Sequence, residues 1–375
     1  MDKFRVVRLT REELKVQCKN DDFEEWGAPA LNLPQYQRKE QLQRETAFSQ
    51  RGSVFWALVE KSDSDENSID DSDLVAGRTA LCCHCESHRF DCVLRRQSGE
   101  IERGYSHHIG SVFTLPEFRK RGLATFFMKQ VAKQLAQFRG ALVSVLYSDI
   151  GPTYYDKLGW RLHPSQMATL DVTHPRNAKT NNDSIELIPL ALDQELDEFF
   201  KADNDRLVEE LSSAKFEGRE AFVILPTRDS LEWQFCIGVH FARERGFDEL
   251  PSCCGVKANT DAFVVWSHNV RGSTLNIVRA RLPDVGDDHA IATTRALMNA
   301  ALEEARKFQL KKVAIWNPPP VLLYDDVRHH LEIEVDERND SLSSAMVFHN
   351  GSVDVDGDAK TPLPHWLSNE KYAWV

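Results

Sequence analysis

No stretch of the 375-residue chain is apolar for long enough to cross a bilayer. The opening residues, MDKFRVVRLTREEL, put charges where a secretion signal needs an apolar core. The protein is therefore expected to stay inside the cell, in the cytoplasm. Cysteine is sparse: Cys18, Cys82, Cys83, Cys85, Cys92, Cys236, Cys253 and Cys254 lack the density of a disulfide scaffold, which points to reduced thiols. A basic surplus is missing as well. With 46 Lys and Arg against 58 Asp and Glu, the formal net charge is −12, and neither nucleic acid nor an anionic membrane is an expected partner. Half of that excess lies in one run, Asp63, Asp65, Glu66, Asp70, Asp71 and Asp73, which reads as a solvated hairpin loop in preference to an interaction tail or cation trap.

What is present is the balance of a soluble globular protein, 42% hydrophobic and 28% charged, in a chain long enough for two cores. Phe4 to Leu9 alternates like a strand, and Thr10 with Glu13 offers a capping box for a helix from Arg11. A helix-prone segment, Gln35 to Phe48, precedes a buried-looking strand at Val54 to Val59. Leu74 to Cys85 reads as its hairpin partner. His107 to Thr114 is strand-like and ends before Pro116. Leu123, Phe126, Phe127, Val131 and Leu135 then recur at helical spacing, and Ala141 to Tyr147 is a short apolar strand. Tyr154 to Leu158 reads as a helix closed by Gly159.

Thr173 to Ser184 is polar and aperiodic, a linker between a first domain at 1–172 and a second at 185–375. The second half repeats the outline of the first: strand at Ile185 to Leu190, helix at Asp193 to Phe200, and strands at Ala262 to Trp266 and Leu275 to Leu282. A long helix, Ala290 to Phe308, and a strand, Lys312 to Trp316, complete it. The fold class expected is α/β, a mixed sheet with helices, followed by a degenerate second copy without a basic glycine loop between Leu282 and Ala290.

A strand running through a glycine turn into a helix aims unpaired backbone N–H groups at the positive end of the helix dipole. Arg119-Lys120-Arg121-Gly122-Leu123-Ala124 has that form, with Gly122 and Ala124 small enough for close approach of an anion and three cations beside them. Alone, the basic tripeptide reads more readily as a solvated helix start. In its setting, Val112 through Ala124 resembles the GNAT acetyltransferase superfamily, whose loop is Arg or Gln, two residues, Gly, one residue, then Gly or Ala. The resemblance implies acetyl-CoA as acetyl donor. It implies backbone contacts from Val112, Phe113 and Thr114 to the pantetheine, and contacts from the Arg119, Lys120, Arg121, Gly122, Leu123, Ala124 and Thr125 loop to the pyrophosphate.

Downstream, Ser148-Asp149-Ile150-Gly151-Pro152-Thr153-Tyr154-Tyr155-Asp156-Lys157-Leu158-Gly159-Trp160 resembles the second signature of the superfamily, with Ser148 where Asn is usual and Gly151 where Ala is usual. By that match Ser148 contributes to the cofactor site, and Tyr155 is the phenol that gives a proton to the leaving thiolate. Candidate bases are His107 and His108 on the strand, or Glu102 before it. Asp149 is either a partner for the substrate amine or a helix N-cap. Cys82-Cys83-His84-Cys85 with His88 and Cys92 has one pair at zinc spacing, but it is embedded in a strand, and no metal is expected.

Over its whole length the chain is similar to the fungal lysine acetyltransferases of lysine catabolism. The similarity is carried by the Val54 to Leu58 strand, Arg95-Arg96, Tyr147 to Gly151 with Tyr154-Tyr155, and a large C-terminal half ending in Trp366 and Tyr372-Ala373-Trp374. It implies transfer of acetyl to the ε-amine of free L-lysine. A polyamine or protein lysine acetyltransferase and an inactive acyl-CoA-binding module remain the alternatives, and oligomeric state is left open.

Overall fold

The computed structural model describes residues 1–61, 70–173, 185–284, 288–349, 351–353 and 362–375. The N-terminal alternation becomes strand β1 (Phe4–Leu9), with Phe4 and Val6 on one face and Val7 and Leu9 on the other, each facing its own apolar cluster. Helix α1 (Glu12–Asp21) follows, but Thr10 does not cap it. Asp71 instead holds the turn that leads into it: its carboxylate accepts from the Thr10 amide at 2.7 Å, the Thr10 hydroxyl at 2.9 Å and the Arg11 amide at 3.1 Å. Asp73 accepts from the Arg5 guanidinium at 2.6 Å. The end of the acidic run is therefore structural, a carboxylate from sixty residues away outbidding the local capping box; Asp63, Asp65 and Glu66 lie outside the described residues.

Helices α2 (Phe23–Trp26), α3 (Leu33–Glu45) and α4 (Ala47–Gly52) lead to β2 (Val54–Glu60). Asn32 and Gln35 form the capping box of α3. The expected strand at Leu74 starts only at Cys83, because turn hydrogen bonds from Arg78 and Thr79 to the Val75 carbonyl take up the intervening backbone. β3 (Cys83–Arg95) and β4 (Ile101–Thr114) then form a long hairpin, and α5 (Leu123–Ala136) carries the chain to β5 (Ala141–Ser148), parallel to β4. Tyr154 to Leu158 holds only one 3₁₀ turn, Asp156–Leu158, ended by Gly159 at φ 98°.

After β6 (Arg161–Leu162) and β7 (Gln166–Asp171), the second half contributes β8 (Leu187–Ala191), α6 (Glu195–Ser212), β9 (Ala221–Ile224) and α7 (Arg228–Glu244). Next come β10 (Cys253–Ala258), β11 (Phe263–Asn269), β12 (Thr274–Arg281), α8 (Asp288–Lys307) and β13 (Lys312–Trp316). α9 (Asp325–Leu331), β14 (Glu334–Glu337), β15 (Leu342–Val347) and β16 (His365–Leu367) complete the described elements. β12, α8 and β13 repeat the parallel strand, helix, strand order of β4, α5 and β5.

Two mixed sheets result, and they exchange strands. The first runs β1-β2-β3-β4-β5-β15-β6, with β9 on β3 and β16 on β9; the second runs β14-β7-β13-β12-β11-β10-β8. β7, from before the expected boundary at 172, thus lies in the second sheet, while β9, β15 and β16, from after it, lie in the first. Each sheet covers an edge of its own with a strand of the other half, which removes unpaired backbone that would otherwise be exposed. The proposed linker falls almost wholly outside the described residues.

The last residues are pinned by a buried arginine. Arg279 on β12 holds Asp203 of α6 through Nε at 2.8 Å and Nη2 at 2.9 Å, and Glu370 through Nη1 at 2.6 Å, while the other Glu370 oxygen accepts from the Ala280 amide at 2.7 Å. Arg279→Met would leave the buried Glu370 without a cation and Asp203 with Arg281 alone. The expected loss is about 3–5 kcal/mol in denaturant unfolding, and a loss under about 1 kcal/mol would show that the network does not hold the segment.

Candidate active site

β4 and β5 pair from Tyr105 with Ala141 to Ile109 with Leu146 and then part. The parting coincides with a bulge. His84 faces Phe113 and Glu86 faces Gly110, so Cys85 stands opposite both Ser111 and Val112, and Ser111 takes φ 53°. From Gly110 to Thr114 the β5-facing backbone of β4 has no strand partner among the described residues, which leaves polar groups aimed into the gap. Val112, Phe113 and Thr114 lie on this open stretch. The Thr114 carbonyl accepts from Arg119 Nε at 2.9 Å, and the Arg119 guanidinium lies 5.3 Å from the Phe113 ring centre.

Arg119, Lys120, Arg121 and Gly122 are exposed between β4 and α5. Gly122 is the N-cap of α5 at φ 74°, a conformation that favours glycine, and Lys120 also has positive φ. The first hydrogen bond of the helix runs from the Phe126 amide to the Gly122 carbonyl at 3.1 Å. The amides of Leu123, Ala124 and Thr125 have no carbonyl one turn earlier in the helix. This cradle fits a pyrophosphate: amides and helix dipole meet where a side chain would intrude, with three cations in the same exposed turn. Leu123 is buried beside Phe127 and Tyr155, fixing the cradle against the core.

The Ser148 hydroxyl donates to the Gly151 carbonyl at 2.7 Å, closing the turn that delivers Tyr154 and Tyr155. Tyr154 Oη is 3.3 Å from Thr125 Oγ1, which ties this turn to the cradle. Tyr155 packs edge-on to Tyr154, in the same cluster as Ile109 and Val112. Burial raises its pKa, with Tyr154, Cys85 and Asp149 adding to the effect, so the phenol keeps its proton at neutral pH and remains a donor. Asp149 caps no helix; Oδ1 accepts from the Ser341 amide at 2.7 Å and so holds the loop before β15.

The histidines sit in the closed part of the sheet, pointing to opposite faces as strand neighbours must. His107 pairs with Ser144 and packs on Phe138, and burial lowers its pKa to about 4. His108 is wholly buried, its Nδ1–H donates to the Ala373 carbonyl at 2.7 Å, and burial lowers its pKa to about 3. Neither lies on the open stretch of β4. Glu102 is paired with Arg96. Cys82, Cys83, Cys85 and Cys92 are buried free thiols, and burial raises the first two to about 11. Among the described residues no group of three or more His, Cys, Asp or Glu side chains could hold a metal ion.

Two features escape sequence reasoning. Behind the bulge, Lys19 of α1 reaches Glu86, Glu40 at 3.0 Å and Ser111 Oγ at 3.4 Å. Burial alone would lower the Lys19 pKa, but Glu40, Glu86 and Asp22 outweigh it and raise it. Burial brings Asp22 to about 7. The signal available was Glu86, a charge inside an otherwise apolar strand. The second feature is the C-terminal segment, which returns to β4: besides the Ala373 bond to His108, Val375 lies against Gly110, 3.5 Å from where a side chain there would begin.

Gly122→Val would force a branched residue into positive φ and fill the cradle. Affinity for acetyl-CoA is expected to fall at least about tenfold by calorimetry, with little change in thermal unfolding; undiminished affinity would remove the cradle assignment.

Comparison with known proteins agrees with this geometry. The family described as LYC1 GNAT-like C-terminal domain matches residues 171–375, more than half of the chain, and FR47-like protein matches residues 93–167. A protein of Yarrowia lipolytica named lysine acetyltransferase is 22% identical over 332 residues, covering 78% of this chain and 79% of that protein. An uncharacterised protein of Saccharomyces cerevisiae is 22% identical over 383 residues, covering 92% of this chain and 91% of its own length. Among solved structures, a GCN5-related N-acetyltransferase from Kribbella flavida shares the fold with a TM-score of 0.50 at 17% identity, over 92% of this chain and 71% of that one. With the open strand edge, the glycine cradle and this family match together, the chain belongs to the LYC1 GNAT-like family and is an acetyl-CoA-dependent N-acetyltransferase of the GNAT fold.

Proposed function

We propose that the amine acetylated is the ε-amine of free L-lysine, giving N-ε-acetyl-L-lysine as a step in lysine catabolism in the cytoplasm. The observation that carries this reading is the C-terminal segment, which lies over one face of β4 at the start of its open stretch. With Ala373 bonded to His108 and Val375 against Gly110, this segment narrows the approach of the amine to the open strand from that face. A narrowed approach suits a small free amine. A protein acetyltransferase needs an open groove for its peptide. The name of the Yarrowia lipolytica relative, lysine acetyltransferase, supports a lysine amine as the acceptor.

Acetyl-CoA brings a thioester already activated toward an amine. The residues of the chain supply position and protons: the free backbone of Gly110 to Thr114 orients the thioester arm, and the Arg121 to Thr125 amides anchor its phosphates. Tyr155, protonated and beside the bulge, donates to the departing thiolate. His107 and His108, with pKa values lowered to about 4 and 3, are uncharged at neutral pH but too weakly basic to take the proton of the amine, and they lie off the open edge, so the amine sheds its proton to water.

Tyr155→Phe is expected to lower kcat by about 100-fold with the KM for acetyl-CoA within about twofold; an unchanged kcat would dismiss the phenol as acid. His107→Gln should leave the shape of the pH–rate profile between pH 6 and 9 as it is, whereas loss of an acidic limb would restore the histidine as base. Coenzyme A release measured with free L-lysine, spermidine and a histone-like peptide tests the substrate. Lysine is expected to lead by at least about tenfold in kcat/KM, and faster turnover of either other amine would sink the lysine reading.

A further inference from the structure

Beyond the last β4–β5 pair, the next residue of β5 is Tyr147, and it faces a cluster contributed almost entirely by the second half of the chain. The Tyr147 ring centre lies 5.6 Å from that of Trp316 and 6.2 Å from that of Trp366. Two cations rest on the same indole: the Arg338 guanidinium carbon is 3.6 Å from the Trp316 ring centre, and Lys371 Nζ is 4.0 Å from it. Lys371 Nζ is also 4.1 Å from the Trp374 ring, and Trp374 precedes the Val375 that lies against Gly110. The cluster is thus one residue removed from the open stretch of β4.

Its chemistry is one-sided. Arg338 is buried and donates to the Ser341 carbonyl at 2.5 Å and Ser343 Oγ at 3.1 Å, but its Nε has no acceptor among the described residues. The Tyr147 hydroxyl is also buried without a partner. Neither Arg338 nor Lys371 makes an ion pair with a described residue; Asp149, which acts on Lys371 from a distance, is occupied by Ser341. A bracing role alone would satisfy these donors within the protein, since a buried unpaired donor is costly. The Arg338 Nε and the Tyr147 hydroxyl, without acceptors, together with Lys371, gathered round Trp316 with no carboxylate in contact, define a place for an anion.

We propose that Arg338, Lys371 and Tyr147 form a carboxylate-binding subsite that holds an amino-acid substrate by its α-carboxylate while the side-chain amine extends to the gap between β4 and β5. The inference deepens the lysine reading and rests on it for the identity of the amine. Burial and the neighbouring Arg338 lower the Lys371 pKa to about 7, against weaker opposing effects of Asp340 and Asp149. Its charge is therefore present below about pH 7 and lost above it, so preference for a carboxylate-bearing substrate should fall as pH rises through that range.

The test compares L-lysine with cadaverine, the same diamine without the carboxylate, in wild type, Lys371→Met and Tyr147→Phe. In Lys371→Met the KM for lysine should rise at least about tenfold, as for a lost charge-assisted hydrogen bond, with cadaverine kinetics within about twofold and the lysine-to-cadaverine ratio independent of pH. Tyr147→Phe removes one oxygen and should weaken lysine about threefold or more on the same criterion; it decides the matter if Lys371→Met does not fold. Equal losses for both amines, or an unchanged ratio in both variants while wild type still prefers lysine, would overturn the subsite and leave the lysine reading intact. Wild-type preference for cadaverine would overturn both. If another amino acid is the better substrate and Lys371→Met erases its advantage over its decarboxylated form, the subsite stands and the choice of lysine falls.

Discussion

The parting of β4 from β5 after Ile109 and Leu146 is the constraint on which the rest of the molecule depends. A sheet that opens in its middle exposes main-chain donors and acceptors where the interior should be dry, and such groups must find partners. The bulge at Ser111 and Val112 fixes where the opening starts, and Lys19, held by Glu40 and Glu86, supports Ser111 from behind. Tyr155 and the Gly122 cradle stand on the α5 side of the opening. His108, Tyr147 and the C-terminal segment stand on the other. Cosubstrate and amine can therefore approach the same gap from opposite faces without competing for space.

The exchange of strands makes that arrangement a property of the whole chain. β15 completes the first sheet beside β5, and β7 completes the second beside β13, so the loop carrying Arg338 is delivered next to Tyr147 by main-chain pairing. Arg279 then fixes the final residues through Glu370, and β16 pairs with β9, itself on β3. The degenerate half has no basic glycine loop, yet it is not a spare copy. It provides the segment that lies over β4 and the cations on Trp316 beside Tyr147.

The sequence makes the first half legible to the extent that its chemistry is local. The Arg119 to Ala124 turn, the strand before it and the Tyr154-Tyr155 turn all lie within a short span and need no distant partner to be read. What escaped was set by distance along the chain. Thr10 looked like a cap until Asp71 arrived to engage its hydroxyl, and Leu74 to Leu81 looked like a strand until its backbone bonds closed on themselves. His107 and His108 looked equally suited to act as a base because burial and the Ala373 bond are invisible in a linear pattern. The strand exchange was hidden for the same reason: a short alternating strand carries no mark of which sheet it will join.

Buried cations separate structure from function more sharply than motifs do in this molecule. Arg279 is enclosed by Asp203 and Glu370, and Lys19 by Glu40, Glu86 and Asp22; in both, the carboxylates outweigh desolvation and the pKa rises. Arg338 and Lys371 are the reverse case, cations whose pKa values fall to about 10 and about 7 because burial is not matched by a carboxylate in contact. Removing a charge from water without a partner costs several kcal/mol. A fold that neutralises two such groups with carboxylates and gives a third set only carbonyl, hydroxyl and ring partners, beside the opening in its sheet, has kept that set for an anion that arrives with the substrate.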